Sequence, residues 1–236
     1  MIRCVRALHQ ENLVARKSKS KSKTTKRAAS RKYDPTRTRR DILSVATKEF
    51  AKHGFNGARI DAIAARTSTT KRMIYYYFGG KERLYITVLE QEYAGIRDHE
   101  ASLQLESLPP EMAIRRLTEF TFDYDHTHPD FVRLVAIENI HHARHLAKSA
   151  VIREVNQTIV DTIEVILRRG RNEGVFHSRI TAIDLHMLMS ALCFFHVSNL
   201  HTFGAIFRRD FGAANVRRTH RKMVAEFIVH HLKSGS

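Results

Sequence analysis

The sequence predicts an all-α protein in which a three-helix N-terminal domain precedes a larger helical bundle. Apolar residues recur at spacings of three and four along most of the chain after residue 33, which is the period of an amphipathic helix. Alternating, strand-like patterns do not interrupt the C-terminal part. Proline occurs there only at positions 109, 110 and 129, where it can open a helix.

Charge divides the chain into a basic front and a neutral remainder. Residues 1–33 contain eleven Lys or Arg against one acid, and residues 34–81 contain ten against four. Residues 82–236 contain nineteen of each, so the whole excess of +16 lies in the first third. This asymmetry predicts a polyanionic partner for the front and a different task for the rest.

Two classes of protein are disfavoured by composition. The chain lacks an apolar run of the roughly 20 residues that a membrane helix needs. Its two cysteines, Cys4 and Cys193, are too few for a disulfide framework or for a four-ligand zinc site of their own. We therefore expect a protein of the reducing cytoplasm without a membrane partner.

Residues 1–33 are expected to form a disordered basic tail, because Lys and Ser alternate there without a sustained apolar face. One interpretation is a nonspecific arm that attracts DNA phosphates. Two others stay open: an inert extension from an upstream start codon, and an Arg/Ser-rich organelle transit peptide.

The first predicted helix begins near Thr36 and ends at Gly54, a natural C-terminal stop. Its apolar residues Ile42, Ala46 and Phe50 are spaced four apart, which places them on one face. The segment "IDAIAART" predicts a short second helix with its isoleucines on one side. Together the two segments predict a pair of helices that pack through apolar faces.

A polar turn, "STT", separates the second helix from the third. Thr70 can cap this third helix, which is predicted from Lys71 to Phe78. The following Gly-Gly pair ends it, and a longer helix begins near Lys81. Beyond this point short loops join six helices, as in a helical bundle. Their predicted bounds are 81–106, 110–127, 130–143, 149–173, 181–207 and 213–233.

The stretch "TTKRMIYYYFGGKERL" places its side chains on distinct faces of the third helix. Ile74 and Phe78 are four apart and are predicted to pack in the core. Lys71 and Tyr75 share another face with Arg72 beside them. That face offers donors of the kind that read guanine and a ring able to contact a thymine methyl.

The flanks of the same helix suit contacts with the DNA backbone. Tyr76 and Tyr77 can reach phosphate oxygens, and Lys81 lies at the start of a helix whose free amides favour a phosphate. Two short helices, a tight turn and a basic, aromatic second helix are typical of a helix-turn-helix. DNA binding is thus the predicted function, against the alternative of a surface helix whose aromatic residues only fill a small core.

Residues 42–84 closely resemble the N-terminal domain of TetR-family transcriptional regulators. The resemblance rests on "F-A-x-x-G-F" ending the first helix, "I-A" in the second, "Y-Y-x-F" in the recognition helix and "K-E-x-L" opening the fourth. It implies that residues 34–80 bind DNA and that residues 81–236 form a helical ligand-sensing and dimerisation domain. The implied DNA-binding residues are Arg59, Thr70, Lys71, Arg72, Tyr75, Tyr76, Tyr77 and Lys81.

The sequence departs from the family pattern at four places. Ser68 replaces the usual turn glycine, and Ala58 and Arg59 stand where Thr or Ser usually opens the second helix. Asp61 replaces a residue that is often basic, and Gly80 replaces the usual Ser or Asn cap of the fourth helix. Arg59 is a candidate for the backbone contact that Asp61 cannot make.

The last two predicted helices are rich in Ile, Leu, Met and Phe. A homodimer that buries them in a bundle of two helices per subunit is one interpretation, and the subunit's own core is the other. A dimer also suits DNA binding, because two recognition helices must reach major-groove faces about 34–36 Å apart.

Polar residues concentrate after position 137. Glu138, His141 and His145 at i, i+3 and i+7 share a helix face that suits a metal, but a di-iron site needs a second such motif, so we assign no metal site. A polar edge of the bundle is the alternative. A small-molecule pocket is predicted from two helices, lined by Asn139, His142, Phe195, His196 and Asn199.

Catalytic signatures such as a nucleophile elbow or a dinucleotide fingerprint are missing, so we expect neither an enzyme nor a cofactor. The sequence predicts a cytoplasmic, nucleoid-associated bacterial regulator. It is expected to act as a ligand-responsive repressor that binds a palindromic operator in double-stranded DNA as a homodimer. Two alternatives stay open: a helical enzyme or metal-storage protein with an incidental basic domain, and a nucleoid-type binder with little sequence preference.

Overall fold

The structure, a computed structural model, describes residues 34–234, which form ten α-helices and two 3₁₀ turns without a strand. The predicted all-α fold is thus confirmed for that part. The basic tail predicted for residues 1–33 lies outside the described residues. Four helices form the N-terminal part: α1 (Pro35–Gly57), α2 (Ile60–Ala65), α3 (Lys71–Phe78) and α4 (Lys81–Ala101).

Local capping explains the bounds of α1. The Asp34 carboxylate accepts hydrogen bonds from the amides of Thr36 and Arg37 at 3.0 and 3.1 Å, which satisfies two of the free donors at the helix start. Gly54 has φ 66°, a conformation that favours glycine, and it interrupts the helix where the stop was predicted. A short turn continues to Gly57.

Six further helices form the C-terminal part: α5 (Pro110–Thr127), α6 (Pro129–Ile140), α7 (Ala150–Asn172), α8 (Ala182–Ser198), α9 (Leu200–Phe207) and α10 (Ala214–Ser234). The predicted helix 181–207 is therefore wrong as a single element, because it breaks at Asn199 into α8 and α9 with a bend of 59°. The Asn199 side chain donates to the Phe195 carbonyl at 3.3 Å and to the Ser198 hydroxyl at 2.9 Å. Such local bonds compete with helix continuation.

One apolar core joins the N-terminal helices to the C-terminal part. Ile42, Phe50 and Ile63 from α1 and α2 pack with the buried residues of α3 and α4. Leu134 of α6 and Ile152 of α7 belong to the same cluster. Helix α4 is therefore shared, since its first turns complete the N-terminal core and its later turns enter the bundle.

A second core lies inside the C-terminal bundle, where α5 is packed against α7, α8 and α10. Helices α8 and α10 contribute to it through their inward faces, for example with Leu185 and Ile228. Their outward faces carry exposed apolar side chains: Ile183, Met187, Phe195, Met223 and Phe227. We call these five residues the outer apolar surface. The inward faces thus belong to the subunit's own core, whereas the outer apolar surface is left exposed.

Among residues 34–234, no single helix is long and apolar enough to cross a membrane. In this part of the chain, α8 and α9 taken together reach that length and hydropathy, but a bend of 59° separates them.

Candidate DNA-binding surface and effector cavity

Helix α3 is fixed at both ends by its own sequence. The Thr70 hydroxyl accepts a hydrogen bond from the Met73 amide at 3.3 Å, which confirms the predicted cap. Gly79 adopts φ 74°, and its amide donates to the Tyr75 carbonyl at 2.7 Å. The observed bounds, Lys71–Phe78, are those predicted.

The faces of α3 also separate as predicted. Ile74 and Phe78 are buried against the residues of α1 and α2. Tyr75 and Tyr76 are 44% and 78% exposed, and Lys71 and Arg72 are exposed beside them. We call these last four residues the recognition surface. Aromatic side chains of this size are costly to leave in water, which favours a surface that becomes covered by a partner.

The cations of the recognition surface differ in their partners. The Lys71 ammonium lies 3.1 Å from the Asp61 carboxylate, and both side chains are more than half exposed. An exposed pair of this kind contributes about 0–1 kcal/mol, so a phosphate or a guanine can replace Asp61. Among the described residues Arg72 has neither a salt bridge nor a hydrogen-bonded side-chain partner.

The flanking residues Tyr77 and Lys81 are more closely tied to the fold. Tyr77 is half-buried against the core, with its ring 5.6 Å from that of Tyr76. The Lys81 ammonium donates to the Asn56 carbonyl at 3.3 Å and lies 5.0 Å from the centre of the Phe55 ring. Burial lowers the pKa of Lys81, and the Glu49 carboxylate partly opposes that change.

The departures from the family pattern have a local explanation at the start of α2. No side chain caps this helix, but the Arg59 amide donates to the Glu49 carboxylate at 3.3 Å. Glu49 is buried and also pairs with Arg66 at 3.6 Å. Glu49 therefore satisfies the amide of the residue that precedes the helix, as the glutamate of a capping box does, and the Arg59 side chain stays exposed. Helix α4 likewise starts at Gly80 without a side-chain cap.

Glu138, His141 and His145, whose spacing would suit a metal but to which no metal site was assigned, do not share a helix face. Helix α6 ends at Ile140, so the two histidines do not continue its face, and His141 is exposed. The Ala143 amide donates to the Glu138 carbonyl at 2.7 Å, which closes the helix. The described residues contain no group of three His, Cys, Asp or Glu side chains suited to a metal.

Glu138 instead anchors the connection between α6 and α7. Its carboxylate, 2% exposed, accepts from the amides of His145 and Leu146 at 3.0 and 2.9 Å and from His145 Nδ1 at 2.9 Å. The His145 ring packs at 4.3 Å from that of Phe55 and at 5.0 Å from that of Tyr85. Through these contacts the connection between α6 and α7 packs against α1 and α4.

The five residues predicted to line a ligand pocket do not come together. Phe195, His196 and Asn199 line an apolar cleft of about 220 Å³ between α8, α9 and α10. Asn139 and His142 are exposed around the end of α6 and do not contribute to it. The chain turns at His142 and Ala143, with φ of 56° and 55°, instead of continuing as a helix to residue 143.

A different, partly open cavity, the inner cavity, lies between α4, α5, α6, α7 and α8. Its volume is about 190 Å³, and the side chains that carry its chemistry are Tyr93, Arg97, Glu100, Asp125, Phe131 and His186. Arg97 and Glu100 also line an outer cleft of about 500 Å³ between α4, α7 and the 3₁₀ turn Leu105–Ser107. The two spaces thus meet at this pair.

Burial governs the electrostatics of the inner cavity. Arg97 and Glu100 lie 2.8 Å apart and are both nearly inaccessible. Burial raises the pKa of the Glu100 carboxyl to about 7, although Arg97 opposes the rise. Burial alone raises the pKa of Asp125 to about 7, and burial, assisted by Arg97, lowers that of His186 to about 4. Several ionisable groups with altered pKa values in one cavity are typical of a binding site.

Sequence reasoning missed this cavity, although its residues carry a recognisable signal. On α5 the buried residues Ile114, Thr118 and Thr121 follow spacings of four and three, and Asp125 continues them by four. An acid in a core position marks either a salt bridge or a ligand site. The spacing does not tell which other helices pack against Asp125. The cavity is therefore visible only in the packed structure.

Comparisons with known proteins agree with this geometry. Residues 42–88 match the sequence profile of "Bacterial regulatory proteins, tetR family". Residues 110–228 match that of "Tetracyclin repressor-like, C-terminal domain". The first contains the recognition surface, and the second contains most of the inner cavity.

Two curated relatives extend over most of the chain. The HTH-type transcriptional repressor NicS of Pseudomonas putida is 39% identical over 79% of this chain and 88% of its own length. The HTH-type transcriptional repressor SCO4008 of Streptomyces coelicolor is 34% identical over 67% of this chain and 78% of its own. Among solved structures, the fatty acid degradation regulator FadR of Bacillus halodurans shares the fold, with a TM-score of 0.64 and 19% identity over 84% of this chain and 96% of that one.

Proposed function

The chain belongs to the TetR family of bacterial DNA-binding transcriptional regulators, and on that premise we propose that it is a homodimeric repressor released from its operator by a small effector. The observation that carries the proposal is the recognition surface on α3, combined with the inner cavity, which the far part of α4 helps to line with ionisable side chains. We infer a division into a basic tail (1–33), a DNA-binding domain (34–80) and a sensing and dimerisation domain (81–236). The protein would act in the cytoplasm, at the nucleoid.

Base reading is assigned to one face of α3. Lys71 and Arg72 would donate to guanine edges in the major groove, and the Tyr75 ring would contact a thymine methyl. Tyr76, Tyr77, Lys81, Arg59 and Thr70 would hold phosphates. The exposure of Tyr76 supports its part directly, whereas Lys81 must first leave the Asn56 carbonyl.

A two-fold dimer is supported by the outer apolar surface. Its members on α8, Ile183, Met187 and Phe195, repeat at intervals of four and eight, and so lie along one side of the helix. Met223 and Phe227 form a similar pair on the neighbouring α10. Two copies that meet through these helices would bury both rows and place the recognition helices symmetrically on an inverted repeat.

Helix α4 connects the inner cavity, where the effector would bind, to the DNA-binding helices. Lys81 stands at its first turn beside the recognition helix, and Arg97 and Glu100 stand in the cavity 16 and 19 positions later. At 1.5 Å per residue the two ends are about 24–29 Å apart along one rigid element. An effector that fits the cavity only in a tilted arrangement of α4 would favour a wrong spacing of the recognition helices.

Tyr75→Ala and Lys71→Ala are each expected to lower operator affinity by about 1–3 kcal/mol while leaving affinity for scrambled DNA nearly unchanged. The reason is that a base contact is lost and the phosphate contacts stay. Fluorescence anisotropy with both duplexes at one fixed salt concentration measures the ratio of operator affinity to affinity for scrambled DNA.

Tyr75→Phe is the matched control, because it keeps the ring and removes only the hydroxyl. It should retain most of the discrimination if the ring contacts a thymine methyl. Wild-type ratios of specific to nonspecific affinity in both alanine variants would rule out the assignment of α3 to the bases.

A further inference from the structure

The inner cavity contains a buried carboxyl group that has no partner among the described residues. Asp125 is 4% exposed and lines the cavity from α5. Within residues 34–234 no hydrogen bond or ion pair reaches its carboxyl group. Buried polar groups are nearly always paired in folded proteins, and an unpaired acid of this kind is costly. A ligand that supplies a donor would give this carboxyl group its missing partner.

The other charged groups of the cavity do not supply that donor. The Arg97 guanidinium is paired with Glu100 at 2.8 Å and makes no ion pair with Asp125. His186 is neutral at physiological pH, because burial and the charge of Arg97 lower its pKa to about 4. Helices α6 and α7 contribute only Phe131, Val135 and Asn156. Above about pH 7, where both carboxyl groups have lost their protons, the charge of the cavity that lacks an ion-pair partner among residues 34–234 is negative and belongs to Asp125.

The walls of the cavity suit a compact apolar body beside a positive charge. The rings of Tyr93 and Phe131 meet edge to face at 5.4 Å, and Phe194 lines the same space. Aromatic rings attract organic cations as well as apolar groups. The volume of about 190 Å³ is below the roughly 300–1,000 Å³ of sites that hold drug-sized ligands, so the occupant is small.

We propose that the effector is a small organic cation, in which a protonated amine pairs with Asp125 and an aromatic or aliphatic body packs between Tyr93, Phe131 and Phe194. This inference rests on the proposed function, since it names the ligand class of the same cavity. Binding converts an isolated buried acid into a charge-assisted hydrogen bond.

Affinity for such a cation is expected to rise with pH between about 6 and about 8. Burial raises the pKa of Asp125 to about 7, so the acid must lose its proton before it can pair with an ammonium group. Glu100, with a pKa raised to about 7 by burial, acts in the same direction. The remaining titratable groups around Asp125 are Tyr93 and Arg97 on α4, Tyr124 on α5, and His186 and Cys193 on α8.

The test uses three probes of one shape, benzylamine, benzyl alcohol and benzoate, in calorimetric titrations of the full-length dimer. Benzylamine should bind about tenfold to a hundredfold more tightly than benzyl alcohol, and benzoate least. In Asp125→Asn the preference for the amine and its pH dependence should disappear. Asp123→Asn, on the same helix but paired with Arg221 at the surface, should keep both.

Tighter binding of benzoate than of benzylamine would overturn the inference, as would an unchanged preference in Asp125→Asn or no binding of any probe. Thermal melting checks that the asparagine variant is folded. Release of the protein from its operator is measured in parallel. This measurement distinguishes a failure of the proposed ligand class from a failure of the proposed function. Release by benzoate refutes only the ligand class, whereas a protein that never binds an operator refutes the proposed function.

Discussion

Replacing both Met187 and Phe227 with aspartate is expected to make the protein monomeric and to weaken operator binding by about a hundredfold or more. The two side chains are 66% and 55% exposed and lie on the outer apolar surface, one on α8 and one on α10. Carboxylates buried there against a second copy would be unpaired. A monomer would bind a single half-site and lose the affinity gained when a second, linked recognition helix binds the other half-site. Analytical ultracentrifugation and anisotropy on the same samples measure both effects.

Val151→Asp provides the control for this experiment. Val151 is an exposed apolar residue on α7 and lies outside the outer apolar surface. Its replacement should therefore change neither the mass of the sedimenting species nor the affinity for the operator. Circular dichroism establishes that the double variant keeps its helices. A double variant that sediments as a dimer and binds the operator like the wild type would place the dimer interface elsewhere.

Glu138→Ala is expected to lower the free energy of unfolding by about 3–5 kcal/mol, the cost of breaking a buried charged network on one side. The change leaves the amides of His145 and Leu146 and the His145 ring without their acceptor. It also releases the connection that packs on Phe55 and Tyr85. Urea denaturation measures the loss, and Glu154→Ala, at an exposed position on α7, should stay within about 0.5 kcal/mol of the wild type.

The pH dependence of this site has a definite sign. Burial tends to raise the pKa of Glu138, but the hydrogen bonds from Leu146 and His145 outweigh it and hold the pKa below the ordinary 4.5. Its stabilising contribution is therefore present at neutral pH and is lost as the pH falls through that lowered value. The stability advantage of the wild type over Glu138→Gln should narrow below about pH 4.5. An advantage that is constant down to pH 3 would show that the carboxylate charge has no part in it.

Elements with local signals were predictable from the sequence. Helix α3 has a threonine cap at one end and a left-handed glycine at the other, both properties of the residues themselves, and its bounds were predicted without error. Its buried face followed from the four-residue spacing of Ile74 and Phe78. The break at Asn199 was missed, because the apolar pattern continues through it.

The sites that depend on packing between helices were less accessible. Glu138, His141 and His145 were placed on one helix face by their spacing, but α6 ends at Ile140, and Glu138 meets His145 through the turns that follow. The predicted pocket joined the end of α6 to the apolar cleft of α8, which the fold keeps apart. The inner cavity draws its groups from five helices, and the sequence marks only single members of it, such as Asp125 and Glu100, as acids on the core faces of their own helices.

Selection of bound duplexes from a random DNA pool, with the full-length protein at near-physiological salt, tests the central claim most directly. Two symmetric recognition surfaces predict an enriched inverted repeat with half-site centres about 34–36 Å apart or a multiple of that distance. The same selection with Tyr75→Ala should relax the preference at one position of each half-site. A pool without enrichment, or an enriched single half-site, would contradict a dimer that reads bases through α3.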